Sequence, residues 1–148
     1  MSRTLEIVPM SMPRSLRVIH HASRAPELWQ CVRQSADWGA LIGGYLGFWR
    51  LRYPHEFRTR FGDVLTLEDF HDLVTAWIIF FRREYEVDSA CQTIIDAGAN
   101  IGAFSLFAAR AAAGARIVAL EPFPATRARL EAHLERNALA ERVTCRQR

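Results

Sequence analysis

The stretch TIIDAGANIG, Thr93 to Gly102, followed by VALEP, Val118 to Pro122, decides how this chain folds. A short apolar strand runs into Asp96, then a glycine-containing turn, then a helix opening at Gly102. A second apolar strand ends in Glu121. An acidic residue roughly 20 positions beyond a glycine turn is where a nucleotide-type ribose is commonly gripped. The flanking pattern is β-α-β-α-β: strand Thr93–Asp96, helix Gly102–Ala113, strand Arg116–Leu120, helix Pro124 or Ala125 to Asn137, and a third strand opening at Val143–Cys145. Such alternation predicts a parallel sheet with right-handed crossovers. Gly114 is expected to end the first helix in a left-handed conformation. Arg127 and Glu131 are expected one turn apart on the second.

Upstream, Phe57–Phe61 alternates apolar and polar residues as a half-buried strand does. Gly62-Asp63 supplies a turn, and Val64–Leu67 returns as a second strand. Thr66 or Asp69 caps the next helix, with Thr66-x-x-Asp69 resembling a capping box. That helix runs to Phe81 or Arg83, mostly buried, with Arg82-Arg83 in its last turn. Residues Glu27–Arg52 hold Trp29, Trp38 and Trp49. They read as one or two helices interrupted near Gly43-Gly44. The plain reading is a helical cap on the main domain; the alternative is an acceptor-binding wall or an interface. Residues 1 to about 26 read as a loosely ordered arm with one short strand, Ser15–Ile19.

Composition narrows the function. Half of the 148 residues are hydrophobic and 24% are charged, which places the chain among soluble globular proteins. All nineteen basic residues are Arg, and they are scattered. The net charge of +3 forms no basic stripe, which argues against nucleic acid as a partner. Cys31, Cys91 and Cys145 have no short spacing, so neither a disulfide framework nor a zinc site is expected, and no other metal is. A reducing cytoplasm fits that cysteine usage. The N-terminus lacks a signal-peptide core, and the apolar runs are too short for a membrane span. His20, His21, His55, His71 and His133 show no catalytic spacing and read as surface or satisfied core residues.

The turn chemistry points to a ligand. Gly98 lets the backbone approach a ligand without a Cβ. Gly102 permits close packing of helix on strand, and the helix N-terminus beside it carries partial positive charge. Asn100 tolerates an unusual dihedral and can donate to a carboxylate. Asp96 directs its carboxylate into the turn, which suits an amino-bearing ligand better than a pyrophosphate. The fingerprint G-x-G-x-x-G is not met, because its second and third glycines fall on Asn100 and Ala103. This argues against NAD or FAD. A strand-end Asp, a G-x-N-x-G turn and a strand-end Glu match what S-adenosylmethionine needs. Its ribose hydroxyls suit Glu121, and Phe123 is a candidate for the apolar slot of its adenine. Each residue also has a plainer reading: Asp96 as a helix cap, Gly98 and Gly102 as turn residues, Glu121 as a solvated strand end, Phe123 as core.

In Ile94–Leu139, the text IIDAGANIGAFSLFAARAAAGARIVALEPFPATRARLEAHLERNAL resembles the FkbM-type family of S-adenosylmethionine-dependent methyltransferases. D-x-G-A-N-x-G and the following E-P are both met. The resemblance reaches back through FRTRFGDVLTLEDF to about residue 50. It implies a partial class I Rossmann-like α/β fold, preceded by a mostly helical region with a short hairpin. It divides the chain into a cap (1–50), a hairpin and helix (51–90) and the first part of the cofactor domain (91–148). It implies methyl transfer to a hydroxyl of a sugar or other small metabolite. By position, Asp96, Gly98, Asn100 and Gly102 form the methionine-side loop and Glu121 holds the ribose. The family's later strands are missing, so the chain is expected to be an incomplete fragment, inactive alone. The alternative is a non-catalytic remnant or interaction module. The sequence assigns no general base, acceptor or oligomeric state.

Overall fold

The computed structural model describes residues 24–147. The strand expected at Ser15–Ile19 lies outside them. In chain order the elements are α1 (Ala25–Gln34), α2 (Trp38–Tyr45), β1 (His55–Arg58), β2 (Val64–Leu67), α3 (Phe70–Phe80), β3 (Thr93–Ala97), α4 (Ala103–Ala111), β4 (Arg116–Leu120), α5 (Pro124–Arg136) and β5 (Val143–Arg146). The order β3-β4-β5 forms a parallel sheet, with Asp96 beside Ala119 and Leu120 beside Arg146. This is the expected α/β arrangement, a β-α-β-α-β half of a Rossmann-like fold. Its apolar centre is Ile101, Leu106, Ile117, Ala119, Leu130, Leu134 and Val143.

Pro124 starts α5, where its missing N–H costs nothing. Arg127 and Glu131 pair across one turn at 3.6 Å. The end of α4 differs from expectation. Gly114 is not left-handed; the helix stops at Ala111, and a distant side chain serves the carbonyls at and just past its end. One Arg142 Nη2 lies 2.9 Å from the Ala112 carbonyl, 3.1 Å from that of Ala109 and 3.3 Å from that of Ala115. A cation at a helix C-terminus also suits the dipole.

The hairpin pairs β1 with β2 antiparallel, Phe57 opposite Leu65. Its first strand starts two residues and ends three residues earlier than the alternation indicated. The Thr59 hydroxyl bonds the Asp63 carboxylate and accepts the Asp63 N–H, both at 3.0 Å, and closes the turn before Phe61. Phe61 is left exposed under the Arg110 guanidinium. Helix α3 is capped by Asp69, which accepts the Asp72 N–H at 2.9 Å. Asp72 in turn accepts the Glu68 N–H at 2.7 Å, so the box sits three residues later than Thr66-x-x-Asp69. Arg82 and Arg83 lie just past the helix. Arg82 pairs with Glu84 at 2.6 Å and reaches Glu27.

The break between the N-terminal helices falls at Ser35–Asp37, not at Gly43-Gly44, which are buried inside α2. The two glycines are there for packing. A Cβ on Gly43 would stand 2.0 Å from the Trp49 ring, and one on Gly44 3.1 Å from Leu51 Cβ. Both helices pack on α3. Trp77 of α3 stacks on Tyr45 at 4.0 Å and donates its indole N–H to Glu27 at 2.7 Å. Phe57 and Phe81 complete this aromatic cluster edge-on. Trp29, Trp38 and Trp49 keep much of their surface exposed.

One stripe on α5 joins the hairpin to the sheet domain. Arg129 and His133 on one face of α5, and Asn137 at its C-cap, follow at four-residue spacing. Together they serve the outer edge of β2. Asn137 accepts the Val64 N–H at 2.7 Å and donates to the Val64 carbonyl at 2.8 Å. His133 Nε2 accepts the Thr66 N–H at 3.0 Å, and Arg129 donates to the Thr66 carbonyl at 3.3 Å. A strand edge that would otherwise be unpaired is covered.

Candidate functional site

Three left-handed residues shape the loop after β3: Gly98 (φ 75°), Asn100 (φ 49°) and Gly102 (φ 88°). Glycine removes the steric cost at two of them, and Asn tolerates the third. Gly98 has open space where a Cβ would stand, whereas a Cβ on Gly102 would meet Leu130 Cδ1 at 2.5 Å. Gly98 therefore frees the ligand side of the loop, and Gly102 lets α5 close on its back.

The tip of β4 holds this loop through backbone bonds. The Gly98 and Ala99 N–H groups both donate to the Leu120 carbonyl, at 2.9 and 3.0 Å. Glu121 Oε2 accepts the Asn100 N–H at 2.9 Å, and Oε1 accepts the Phe123 N–H at 2.9 Å. Each oxygen keeps a second lone pair for a further donor. Glu121 is buried, so it is not the solvated strand end of the plainer reading.

Asp96 is also buried, and its Oδ2 accepts the Ser105 hydroxyl at 2.7 Å. Burial pushes the Asp96 carboxyl above the usual aspartate range. The Ser105 hydroxyl and backbone N–H oppose that shift, and the nearby Glu121 charge adds to it. A carboxylate buried at a strand end, with only neutral protein donors, is arranged for a cationic or hydrogen-bonding ligand more than for stability.

In front of the loop lies a cleft of about 360 Å³. Asp96, Gly98 and Asn100 line it, with Thr75 and Ile79 of α3 and the rings of Tyr85 and Phe104. Those rings pack tilted at 5.3 Å. Of the six residues singled out from sequence, three line this cleft. Gly102 lies behind it as a packing residue, Glu121 braces the loop from the next strand tip, and Phe123 is 68% exposed beyond that tip. Sequence reading missed Ser105, Tyr85 and Phe104. Ser105 lies one turn into α4 from Gly102, a spacing that marks it as a helix-start partner for a strand-end acid. No local pattern marks Tyr85. Among other nucleophiles, burial pushes the Cys31 thiol up to about 12, which leaves it inert at neutral pH.

Comparison with known proteins gives limited likeness. No family model matches the chain. A stretch of 45 residues, 30% of the chain, is 56% identical to a segment of the AMB antimetabolite synthetase AmbE of Pseudomonas aeruginosa. That segment is 2% of the synthetase. Among solved structures, TYW2 of P. horikoshii in complex with MeSAdo aligns over 92% of this chain and 50% of its own, with 17% identity and a TM-score of 0.46. An RNA methyltransferase from Salinibacter ruber bound to S-adenosyl-L-homocysteine aligns over 41% of this chain and 39% of its own, at 28% identity and a TM-score of 0.37. A SAM-dependent O-methyltransferase from Thermotoga maritima aligns over 64% and 40%, at 20% identity and a TM-score of 0.38. The chain spans half or less of the length of each of these structures. TM-scores this low mark local superposition; the parallel register of β3, β4 and β5 defines the fold by itself.

Proposed function

We propose that this chain forms the cofactor-binding part of an S-adenosylmethionine-dependent methyltransferase of FkbM type, one that methylates a hydroxyl of a sugar or other small metabolite. The observation that carries this reading is the pair of buried acids at adjacent strand tips, Asp96 and Glu121, on either side of one left-handed loop. The residues present fit the cofactor. Asp96 offers an anionic wall to an ammonium, and Gly98 leaves room for backbone approach. Glu121 keeps acceptor capacity for ribose hydroxyls, and a cleft of this size falls in the small-molecule range, roughly 300–1,000 Å³. Phe123, exposed at the second tip, would cover an adenine placed there.

When bound, the cofactor supplies an electrophilic sulfonium methyl group. The protein's part is to fix the loop, orient the ligand's amino-acid end through Asp96 and Asn100, and hold an acceptor oxygen in line with that methyl. Tyr85 and Phe104 form the apolar wall against which a small acceptor would rest. The likeness to a synthetase named for making an antimetabolite supports a small-molecule acceptor. Cys31, Cys91 and Cys145 are all free thiols, which supports a reducing compartment such as the cytoplasm. No helix among the described residues is long and apolar enough to cross a membrane.

Isothermal titration of the chain with S-adenosylhomocysteine tests the reading. Saturable binding that Asp96→Ala abolishes, with the circular dichroism spectrum unchanged, is the expected result. Absence of binding by the wild-type chain, or wild-type affinity in Asp96→Ala, would overturn it.

A further inference from the structure

His133 sits on α5 with 5% of its surface exposed, and its ring joins two elements that are far apart in sequence. Nδ1 lies 2.8 Å from the Ile101 carbonyl, inside the left-handed loop. Nε2 lies 3.0 Å from the Thr66 backbone nitrogen in β2. A carbonyl only accepts and an amide N–H only donates. The ring is therefore the neutral tautomer with its proton on Nδ1, donating to Ile101 and accepting from Thr66. The Thr66 bond depends on the absence of a second proton; the Nδ1–H bond to the Ile101 carbonyl does not.

We propose that His133 is a positioning residue that locks the 98–102 loop to the hairpin while neutral and releases it when protonated. The loop's role in holding cofactor rests on the function proposed above; the lock itself does not. A proton on Nε2 would face the Thr66 N–H, two donors with no acceptor between them. The Thr66 amide would lose its partner, so the link to the hairpin opens at Nε2 while Nδ1–H still donates to the Ile101 carbonyl.

The charges around the ring agree. The Ile101 carbonyl and Asp72 on α3 favour a positive charge on the ring, and Arg129 and Arg136, on its own helix, oppose it. Strand β2 and residues 98–102 bring no ionisable side chain. Asp72 is already engaged by Arg129, and Arg136 by Glu56. Burial is the largest influence, and the imidazole is held below its ordinary value of 6.5. The lock is thus fully present above that value and is lost as pH falls below it toward the depressed one.

Amide hydrogen exchange on the ligand-free chain tests this. Between about pH 7.5 and about pH 5.5, corrected for intrinsic exchange, protection of Thr66 and of the loop amides Asn100 and Gly102 is expected to fall several-fold. The fall is bounded at about tenfold by the one-unit gap between an ordinary imidazole and the lower pH. Amides of β4 should not change. His133→Gln keeps one donor and one acceptor without titrating, and is expected to retain protection and lose the pH step. A flat wild-type profile while the His133 ring is seen by NMR to titrate would overturn the proposal. So would a pH step that survives in His133→Gln. Titration with S-adenosylhomocysteine at both pH values is a separate reading. Weaker binding at the lower pH in the wild type alone ties the lock to the cofactor. No binding at either pH, with the exchange step intact, refutes the cofactor assignment and leaves the lock standing.

Discussion

The Glu121 carboxylate at the tip of β4 accepts the backbone N–H of Asn100 at 2.9 Å, so one strand's end group fixes the loop that leaves its neighbour. Asn100 is left-handed and half-buried, and an unpaired N–H there would cost stability. Glu121 thereby holds the loop in shape before any ligand arrives, and pre-forming a site lowers the entropy cost of binding.

Replacing Glu121 with Gln should expose that double duty. An amide has one accepting oxygen, so the Asn100 or the Phe123 N–H would face an NH₂ group. Chemical denaturation is expected to show a loss of about 1–3 kcal/mol. Affinity for S-adenosylhomocysteine should fall with it. Unchanged stability would mean that the two bonds do not brace the loop.

Gly102→Ala combines two costs. The residue must keep a φ of 88°, and its new Cβ would press on Leu130 Cδ1. A loss of about 1–3 kcal/mol is expected from the backbone strain. Adding Leu130→Ala should not restore stability, since it removes the clash but leaves the strained backbone and opens a cavity. Full rescue in the double variant would show that the dihedral carries no cost.

Asp96→Asn should separate stability from binding. The folded carboxyl titrates above its ordinary value of 3.8, so the fold favours the protonated form. Its contribution to stability is complete below the ordinary value and is lost as pH rises through the raised one. At neutral pH the charged Asp96 therefore weakens the fold. The Asn variant is expected to be at least as stable at pH near 7, with a flatter pH profile above about pH 4. Its affinity for S-adenosylhomocysteine should drop by about tenfold or more, as for loss of a charge-assisted bond. Urea midpoints across that range, with calorimetric titration, make the check.

Arg142→Met keeps the aliphatic stem and removes the donors that serve Ala109, Ala112 and Ala115. The expected loss is about 1–3 kcal/mol, with faster amide exchange in the last turn of α4 and little change at β3. Wild-type exchange in that turn would show that solvent satisfies the carbonyls equally well.

Where the chain's own pattern is regular, local sequence predicts the element closely. Strand Arg116–Leu120 matches its expected bounds, and β3 and α5 each differ by a residue at one end. These elements follow from local apolar spacing and from Pro124. The unusual dihedral at Asn100 and the close packing at Gly102 were likewise readable from the turn residues. The errors fall where a partner lies elsewhere in the chain. Gly43-Gly44 resembled a break because glycine disfavours helices, but the closeness of Trp49 and Leu51 rewards the missing side chains. Gly114 resembled a helix stop, but Arg142, nearly thirty residues on, does that work.

The order of strands and helices, the turn between β3 and α4 and the acids closing two strands were determined by sequence alone, because each is fixed by contacts within a few residues. Tertiary structure decided what those acids face. It put Ser105 against Asp96, Asn100 against Glu121, and Arg129, His133 and Asn137 along the edge of β2. Hydrogen bonds between groups distant in sequence form only once the apolar faces have packed, and no local pattern records which group will then be opposite.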